Sequence, residues 1–255
     1  MEHCAKGIFV AEGERVVRRL IESNLKMVSV LLTREWLNKY STVLKSRQIE
    51  QGVFVAEKSQ LEEIVGYGLH QGVMAIGRVP ESSDISKISK NCPGSRLFVA
   101  VDGIANSENM GVIVRNCAAF GAHVLIWSES SCDPYLRRSV RNSMGTIFTL
   151  PVARVDKLSN VLKHLQDNFR FQIIAADPKS DSLEMTDVDL TKDICLVFGS
   201  EGEGVSGEVL ELCNVRMKIP MYHGVDSINV ASSVGVVLYE TVRQRGKSNF
   251  NSQSR

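Results

Sequence analysis

Paired cysteines, an excess of charge of either sign and a membrane-length apolar run are all missing from this chain, and each absence removes a class of protein. The formal net charge over 255 residues is +1. That excludes the broad positive field of a chromatin-type or non-specific nucleic-acid binder, while leaving room for a local basic patch. No apolar run approaches the roughly 20 residues that cross a bilayer, so no membrane partner is expected. The opening residues, Met1 to Val16, meet charge too early for the apolar core of a signal peptide. The six cysteines (Cys4, Cys92, Cys117, Cys132, Cys195 and Cys213) form no CxxC pair and no metal-like spacing. They read as buried free thiols of a reducing cytosol, so the expectation is a cytoplasmic protein without a metal site.

What is present is an ordinary globular composition, 44% hydrophobic and 23% charged, at a length that admits two modest domains. Pro80–Arg96 is rich in Ser, Pro and charge and reads as a linker. Before it, Glu14–Leu25 carries Val16, Val17, Leu20, Ile21 and Leu25 at helical spacing. Short strands are expected at Val28–Leu32 and Val53–Ala56, with a helix around Gln60–Val65 and a closing segment His70–Ile76. This makes residues 1–79 a small α/β domain. After the linker the pattern alternates. Leu97–Val101, Val124–Trp127, Ile147–Leu150, Phe171–Ala176, Ile194–Phe198 and Val215–Ile219 suit buried parallel strands. Met110–Phe120, Pro134–Asn142, Val155–Phe169, Gly207–Cys213 and Val230–Arg245 suit helices between and after them. The fold class is therefore α/β, a parallel sheet with helices on both faces over residues 97–246. The polar tail 247–255 is expected to be disordered.

Three small-residue loops follow strand runs: Asn106–Gly121, Gly199–Ser206 and Ile219–Asn229. Open α/β sheets bind ligands at the carboxyl ends of their strands, so the three loops converge on one edge and make a site. The first lacks the GxGxxG that seats a pyrophosphate, which disfavours a dinucleotide-dependent oxidoreductase. The second, GSEGEG, carries two glutamates and no following Lys-Ser/Thr, so it repels phosphate. Backbone donors beside carboxylates suit a cationic cofactor, such as the sulfonium S-adenosylmethionine.

Taken together, the three loops resemble the SpoU/TrmH family of RNA ribose 2′-O-methyltransferases, within the SPOUT superfamily. The first motif runs Asn109-Met110-Gly111 through Arg115 to Gly121, the second Gly199 to Gly204, and the third Ile219-Pro220-Met221 to Ser227-Ile228-Asn229. The resemblance extends from Leu97 to Arg245. More loosely, the leading segment with His70-Gln71-Gly72-Val73 resembles an L30e-like RNA-binding domain. The resemblance implies a C-terminal trefoil-knotted α/β domain, S-adenosyl-L-methionine as cofactor, and a homodimer with the active site near its interface. RNA is the implied substrate, with rRNA favoured by the leading domain and tRNA as the alternative. A non-catalytic RNA-binding or ribosome-assembly factor that keeps the fold is the rival from another class.

The same resemblance distributes roles. Arg115 is the first choice for the catalytic residue; a guanidinium hardly ever loses its proton, so it would orient the 2′-hydroxyl and clamp the adjacent phosphate. Asn109, Glu201, Ser227 and Asn229 complete the catalytic set, and Gly199, Glu201, Ile219, Ile228 and Asn229 hold the cofactor. The plain readings are an ion-paired surface arginine, a solvated loop glutamate, and helix caps at Asn109, Ser227 or Asn229. Ile228 stands where the family more often has leucine, and Asn106-Ser107 stands for its Asp-Pro. Arg115, Arg137, Arg138 and Arg141 are candidate RNA contacts, as are Arg243, Arg245, Lys247 and Arg255. His70 reads as structural, and His223 as a loop residue with a weak claim to a direct role.

Overall fold

The computed structural model describes residues 4, 6–66, 71–179 and 181–246. His70, Lys247 and Arg255, with the whole tail 247–255, lie outside the described residues. In chain order the first elements are β1 (Ile8–Glu12), α1 (Glu14–Glu22), β2 (Met27–Leu32), α2 (Arg34–Ser46), β3 (Ile49–Val55), α3 (Lys58–Val65) and β4 (Val73–Arg78). There follow α4 (Ile85–Asn91), β5 (Leu97–Asp102), α5 (Ser107–Ala119), β6 (Val124–Ser128), α6 (Arg137–Asn142), a 3-10 turn at Thr146–Phe148 and β7 (Val152–Val155). The chain continues through α7 (Leu158–Phe169), β8 (Gln172–Ala176), β9 (Leu183–Glu184), β10 (Ile194–Gly199), α8 (Gly207–Leu212), β11 (Val215–Lys218) and α9 (Val230–Gln244).

The chain divides into two compact units, Met1–Glu81 with Asp133–Thr149, and Ser82–Cys132 with Leu150–Arg255. The first unit carries a four-stranded sheet in the order β1-β4-β2-β3. β4 runs antiparallel to β1 and β2, and β2 runs parallel to β3. Helix α1 buries Val16, Val17, Leu20 and Ile21 on one stripe.

Two expectations fail around this unit. Ile147–Leu150 is not a strand. Phe148 instead stacks on the buried Phe9 ring at 5.1 Å, with Tyr135 5.6 Å away on the same ring. Arg19 also donates to the Met144 carbonyl at 2.9 Å. These contacts place 133–149 with the first unit, although the alternating pattern reads it as part of the second domain. The segment read as a linker is not extended either. Asp84 caps α4 by accepting from the Lys87 N–H at 3.0 Å, and Ile85 and Ile88 pack against the second unit's core. Their three-residue spacing is a helical stripe that the Ser-rich composition hides.

The second unit is a seven-stranded, all-parallel sheet in the order β7-β6-β5-β10-β8-β11-β9. One face carries Phe98, Ala100, Ile126, Ile173, Cys195 and Val197 against Leu158, Leu162 and Leu165 of α7 and Val209 and Leu210 of α8. The alternate residues Val99, Val101, Leu196 and Phe198 are equally buried, on the face that α5 and α9 cover. Helices on both faces follow from the near-continuous apolar runs of β5, β6 and β10.

At the amino end of the sheet, Arg96 pairs with Asp193 at 2.5 Å and its guanidinium lies 4.6 Å from the Phe171 ring. Arg245 is not a surface cation: its guanidinium donates to the carbonyls of Ser95, Arg96, Leu190 and Lys192. Arg243 is held by Glu240 at 2.6 Å. None of the six cysteines is in a disulfide, and only Cys117 and Cys195 are buried; the other four are partly exposed. Among the described residues no helix is long and apolar enough to cross a membrane.

Candidate functional site

Because β5, β8, β10 and β11 all run parallel, the loops that leave them emerge at one edge. The first turns at once into α5. Asn106 caps that helix, its Oδ1 accepting from the Glu108 N–H at 2.8 Å. Asn109 is therefore not the cap and its side chain is free for the site.

The second loop folds back tightly: Ser200 and Gly204 exchange backbone hydrogen bonds of 3.0 Å in each direction. Gly199 sits under this crossing, and a Cβ there would stand 2.0 Å from the Gly204 carbonyl carbon. No side chain fits, which is a physical reason for glycine at the end of β10. The loop is fastened from below by Asp102, a buried carboxylate that accepts from the Ser206 N–H at 2.9 Å.

The third loop ends at Asn229, which caps α9 through Oδ1, accepting from Ala231 at 3.0 Å and Ser232 at 3.3 Å. With Oδ1 so used, the amide nitrogen turns outward. It donates to Glu201 Oε1 at 2.8 Å and lies 3.0 Å from Asn109 Oδ1. Asn109 Nδ2 donates to the same Glu201 oxygen at 2.9 Å. Three residues spread over 120 positions of sequence thus share one hydrogen-bonded ring, and Asn229 serves as cap and site residue at once.

Beside the ring lies a cavity of about 290 Å³, near the lower end for small-molecule sites. Gly199, Glu201, Ser227, Ile219 and Ile228 line it, as do Phe198, Met217, Met221 and Val230. Apolar surface from the strand ends and the last loop faces the backbone of the glycine loop. The carboxylates of Asp177, Glu201, Glu203 and Asp226 outnumber the ammonium groups of Lys179 and Lys218 around it. Asp177 Oδ2 is buried with no hydrogen-bond partner. This donor set and charge balance fit an apolar-bodied cation with hydrogen-bonding groups, and they do not fit a polyphosphate.

Several of the sequence's nominees stand elsewhere. Arg115 is exposed on α5 and is neither in the hydrogen-bonded ring nor among the cavity's walls. Arg137 and Arg141 belong to the first unit and face Glu12 at 3.1 and 3.9 Å; Arg138, on the same helix, is exposed. His223 is exposed, at a positive φ of 58° in the third loop, and does not line the cavity. Sequence reasoning missed Asp102 and Asp177. Both are carboxylates at the carboxyl end of an apolar strand run, a signal that was there to read.

A family model described as SpoU rRNA Methylase matches residues 96–239. A Mycobacterium leprae protein named an uncharacterized tRNA/rRNA methyltransferase is 31% identical over 246 residues, 94% of this chain and 72% of its own. A Mycobacterium tuberculosis protein of the same description is 29% identical over 93% of this chain and 82% of its own. Among solved structures, the SpoU methyltransferase AviRb of Streptomyces viridochromogenes, crystallised with AdoMet, is similar with a TM-score of 0.82 at 27% identity. That likeness covers 96% of this chain and 93% of AviRb.

Proposed function

This chain belongs to the SpoU rRNA Methylase family, and from that premise we propose that it transfers a methyl group from S-adenosylmethionine to a ribose 2′-hydroxyl of ribosomal RNA. The observation that carries the reading is the shared ring of Asn109, Glu201 and Asn229 at the wall of a carboxylate-rich cavity. When bound, the cofactor would supply an electrophilic methyl group on its sulfonium, the sulfur keeping the bonding electron pair, and the proton of the 2′-hydroxyl would pass to solvent. The chain's own residues position the rest. Gly199, Ile219 and Ile228 hold the cofactor through backbone groups and apolar surface, and Glu201 and Asp177 offset its charge. Asn109 and Asn229, locked by one carboxylate, fix the geometry in which a poor nucleophile meets the methyl group. Ser227, on the cavity wall, contributes a hydroxyl beside them. Arg115 stays protonated, holds the phosphate next to the target ribose and orients its hydroxyl.

Three further parts belong to the same reading. The first is a trefoil knot in the second unit, which rests on the family resemblance alone, since knots are too rare for any pattern argument to suggest one. The second is a homodimer. Its support is an apolar face left open on α5 and α9, where Val112, Val236 and Tyr239 are exposed by 37%, 37% and 58%. The third is RNA recognition by an L30e-like first domain, which favours rRNA over tRNA.

The test is an Arg115→Ala variant assayed for methyl transfer to total ribosomal RNA and, by calorimetry, for S-adenosylmethionine binding. Transfer falls below detection while cofactor affinity and thermal stability are retained. Full activity removes Arg115 from the mechanism. Absence of cofactor binding in the parent chain leaves an RNA-binding or assembly factor instead.

A further inference from the structure

The first unit has a second place with the geometry of a ligand site. β2 and β3 run parallel and end at Leu32 and Val55, each leading directly into a helix. That is the edge at which α/β sheets take ligands, and here it opens into a cavity of about 460 Å³. Thr33, Arg34 and Trp36 form one wall, Lys58 a second, and Gln71 with Gly72 the base.

The cavity is pre-formed. Thr33 donates its N–H to the Gly72 carbonyl at 2.9 Å, and Ala56 donates to Leu32 at 3.1 Å. Gln71 Oε1 accepts from the Glu14 N–H at 2.7 Å, which leaves its amide nitrogen as a donor. A Cβ at residue 72 would meet Thr33 Cγ2 at 2.5 Å, so glycine keeps the base open.

Its charge balance differs from the cofactor cavity's: two cations, Arg34 and Lys58, stand against two acids, Glu35 and Glu57. Glu57 lines it, but that carboxylate is engaged in a reciprocal cap with Gln60 at the start of α3. Glu35 is the remaining acid, against Arg34 and Lys58; Lys58 reaches Glu62 only at 3.8 Å, with its side chain 55% exposed. Trp36 is half-buried and stacked on Tyr40 with ring centroids 5.9 Å apart; Lys39 Nζ, paired with Glu14 at 3.4 Å, lies 4.6 Å from its centroid, so the cations that line the cavity beside the ring are Arg34 and Lys58. An aromatic plane flanked by cations and an amide donor is the set by which proteins hold an unpaired, splayed-out base and its phosphate.

We propose that this cavity takes one unpaired nucleotide of the RNA substrate, its base against Trp36 and its phosphate toward Arg34 and Lys58. The inference rests on the RNA reading above and names the substrate feature that the first unit reads, an unstacked nucleotide in place of duplex shape. It also moves the recognition surface away from α6, where Arg137 is paired with Glu12 at 3.1 Å.

The chain has two tryptophans, so a Trp127→Phe background leaves Trp36 as the reporter. The full chain in that background is titrated with a short unstructured RNA oligonucleotide, with the same sequence in a duplex, and with free adenosine monophosphate. Unpaired RNA quenches Trp36 emission and the duplex does not. Measured by calorimetry in the otherwise unaltered chain, Trp36→Ala weakens binding of unpaired RNA about tenfold, and Arg34→Gln lowers the slope of log affinity against log salt by about one. Trp36→Phe serves if the alanine variant fails to fold; it keeps the packing and binds RNA with an affinity between parent and alanine. Unchanged emission at saturating RNA, or variants that bind like the parent, overturns the nucleotide site and leaves the methyltransferase reading standing. Adenosine monophosphate binding as tightly as the oligonucleotide overturns it in favour of a small-molecule site. A chain that binds no RNA at all takes both down.

Discussion

Each sheet ends in a cavity at the carboxyl edge of parallel strands, yet the two linings differ: acid-rich in the second unit, charge-balanced and aromatic in the first. In the second unit the walls are glycine backbone, apolar strand ends and four carboxylates against two lysines. In the first they are an arginine, a lysine and a tryptophan, with one of two glutamates engaged as a helix cap. Strand direction places a crevice in both, and the lining alone decides what enters. The lesson is that topology locates a site while side-chain charge assigns its ligand.

The sharpest way to break the comparison is to fill the second unit's edge. Gly199→Ala forces a Cβ to within 2.0 Å of backbone, which neither side can yield; the expected result is loss of cofactor binding and destabilisation of about 3 kcal/mol or more. Gly202→Ala, where a Cβ meets nothing within 4 Å, leaves affinity and melting temperature unchanged. Calorimetry on the pair shows whether the crossing or mere glycine content matters.

A smaller effect is expected from Glu201→Ala, which removes the acceptor that Asn109 and Asn229 share. Misplacing both amides lowers the methyl-transfer rate about 100-fold, while the exposed position of Glu201 leaves the unfolding midpoint in urea where it was. A rate within a few-fold of the parent shows that the ring is only scaffolding.

In the first unit, Arg137→Ala strands the Glu12 carboxylate, whose side chain is only 10% exposed. Breaking a fully buried pair costs about 3–5 kcal/mol; here Arg137 is 32% exposed and Arg141 remains 3.9 Å away, so about 2 kcal/mol is expected in urea unfolding. Arg138→Ala stays within about 0.5 kcal/mol. If Arg138→Ala instead abolishes RNA binding, recognition lies on α6 and away from the Trp36 cavity.

The smallest effect is a pH dependence in the first unit, at the Tyr40–Glu14 hydrogen bond. The Tyr40 hydroxyl, donating to Glu14 at 2.8 Å, holds the Glu14 carboxyl below the usual glutamate range. A depressed folded-state value stabilises the fold above the ordinary glutamate value near 4.3 and is lost as pH falls further, through the lowered value. Tyr40→Phe therefore flattens the acid limb of a stability profile below about pH 4. An unaltered limb assigns the loss to other carboxylates.

Much of this was readable before any coordinates. The runs at Leu97, Val124 and Ile194 are apolar at successive positions, which only a doubly covered parallel strand tolerates. Placing their loops, with the one after Val215–Ile219, on one edge brought Asn109, Glu201 and Asn229 together. Ile147–Leu150 misled because an apolar run packs as well in a 3-10 turn against Phe9 as in a strand; periodicity cannot separate the two over four residues. Strand β1 went unread because Ile8–Glu12 is a short edge strand whose partner, β4, lies more than 60 residues on. Arg245 looked like a free cation because nothing in local sequence reports the carbonyls of residues 95–96 and 190–192 that surround it.

Asn229 ties chemistry to assembly. Its carbonyl oxygen is occupied by the first turn of α9, and that grip is what aims its nitrogen at Glu201. During synthesis, then, a nascent chain that has emerged only as far as residue 229 already contains every member of the ring and still has no working centre. If the ring is the working centre proposed above, competence arrives late and all at once, when the last helix winds, and an unfinished or C-terminally clipped copy is silent.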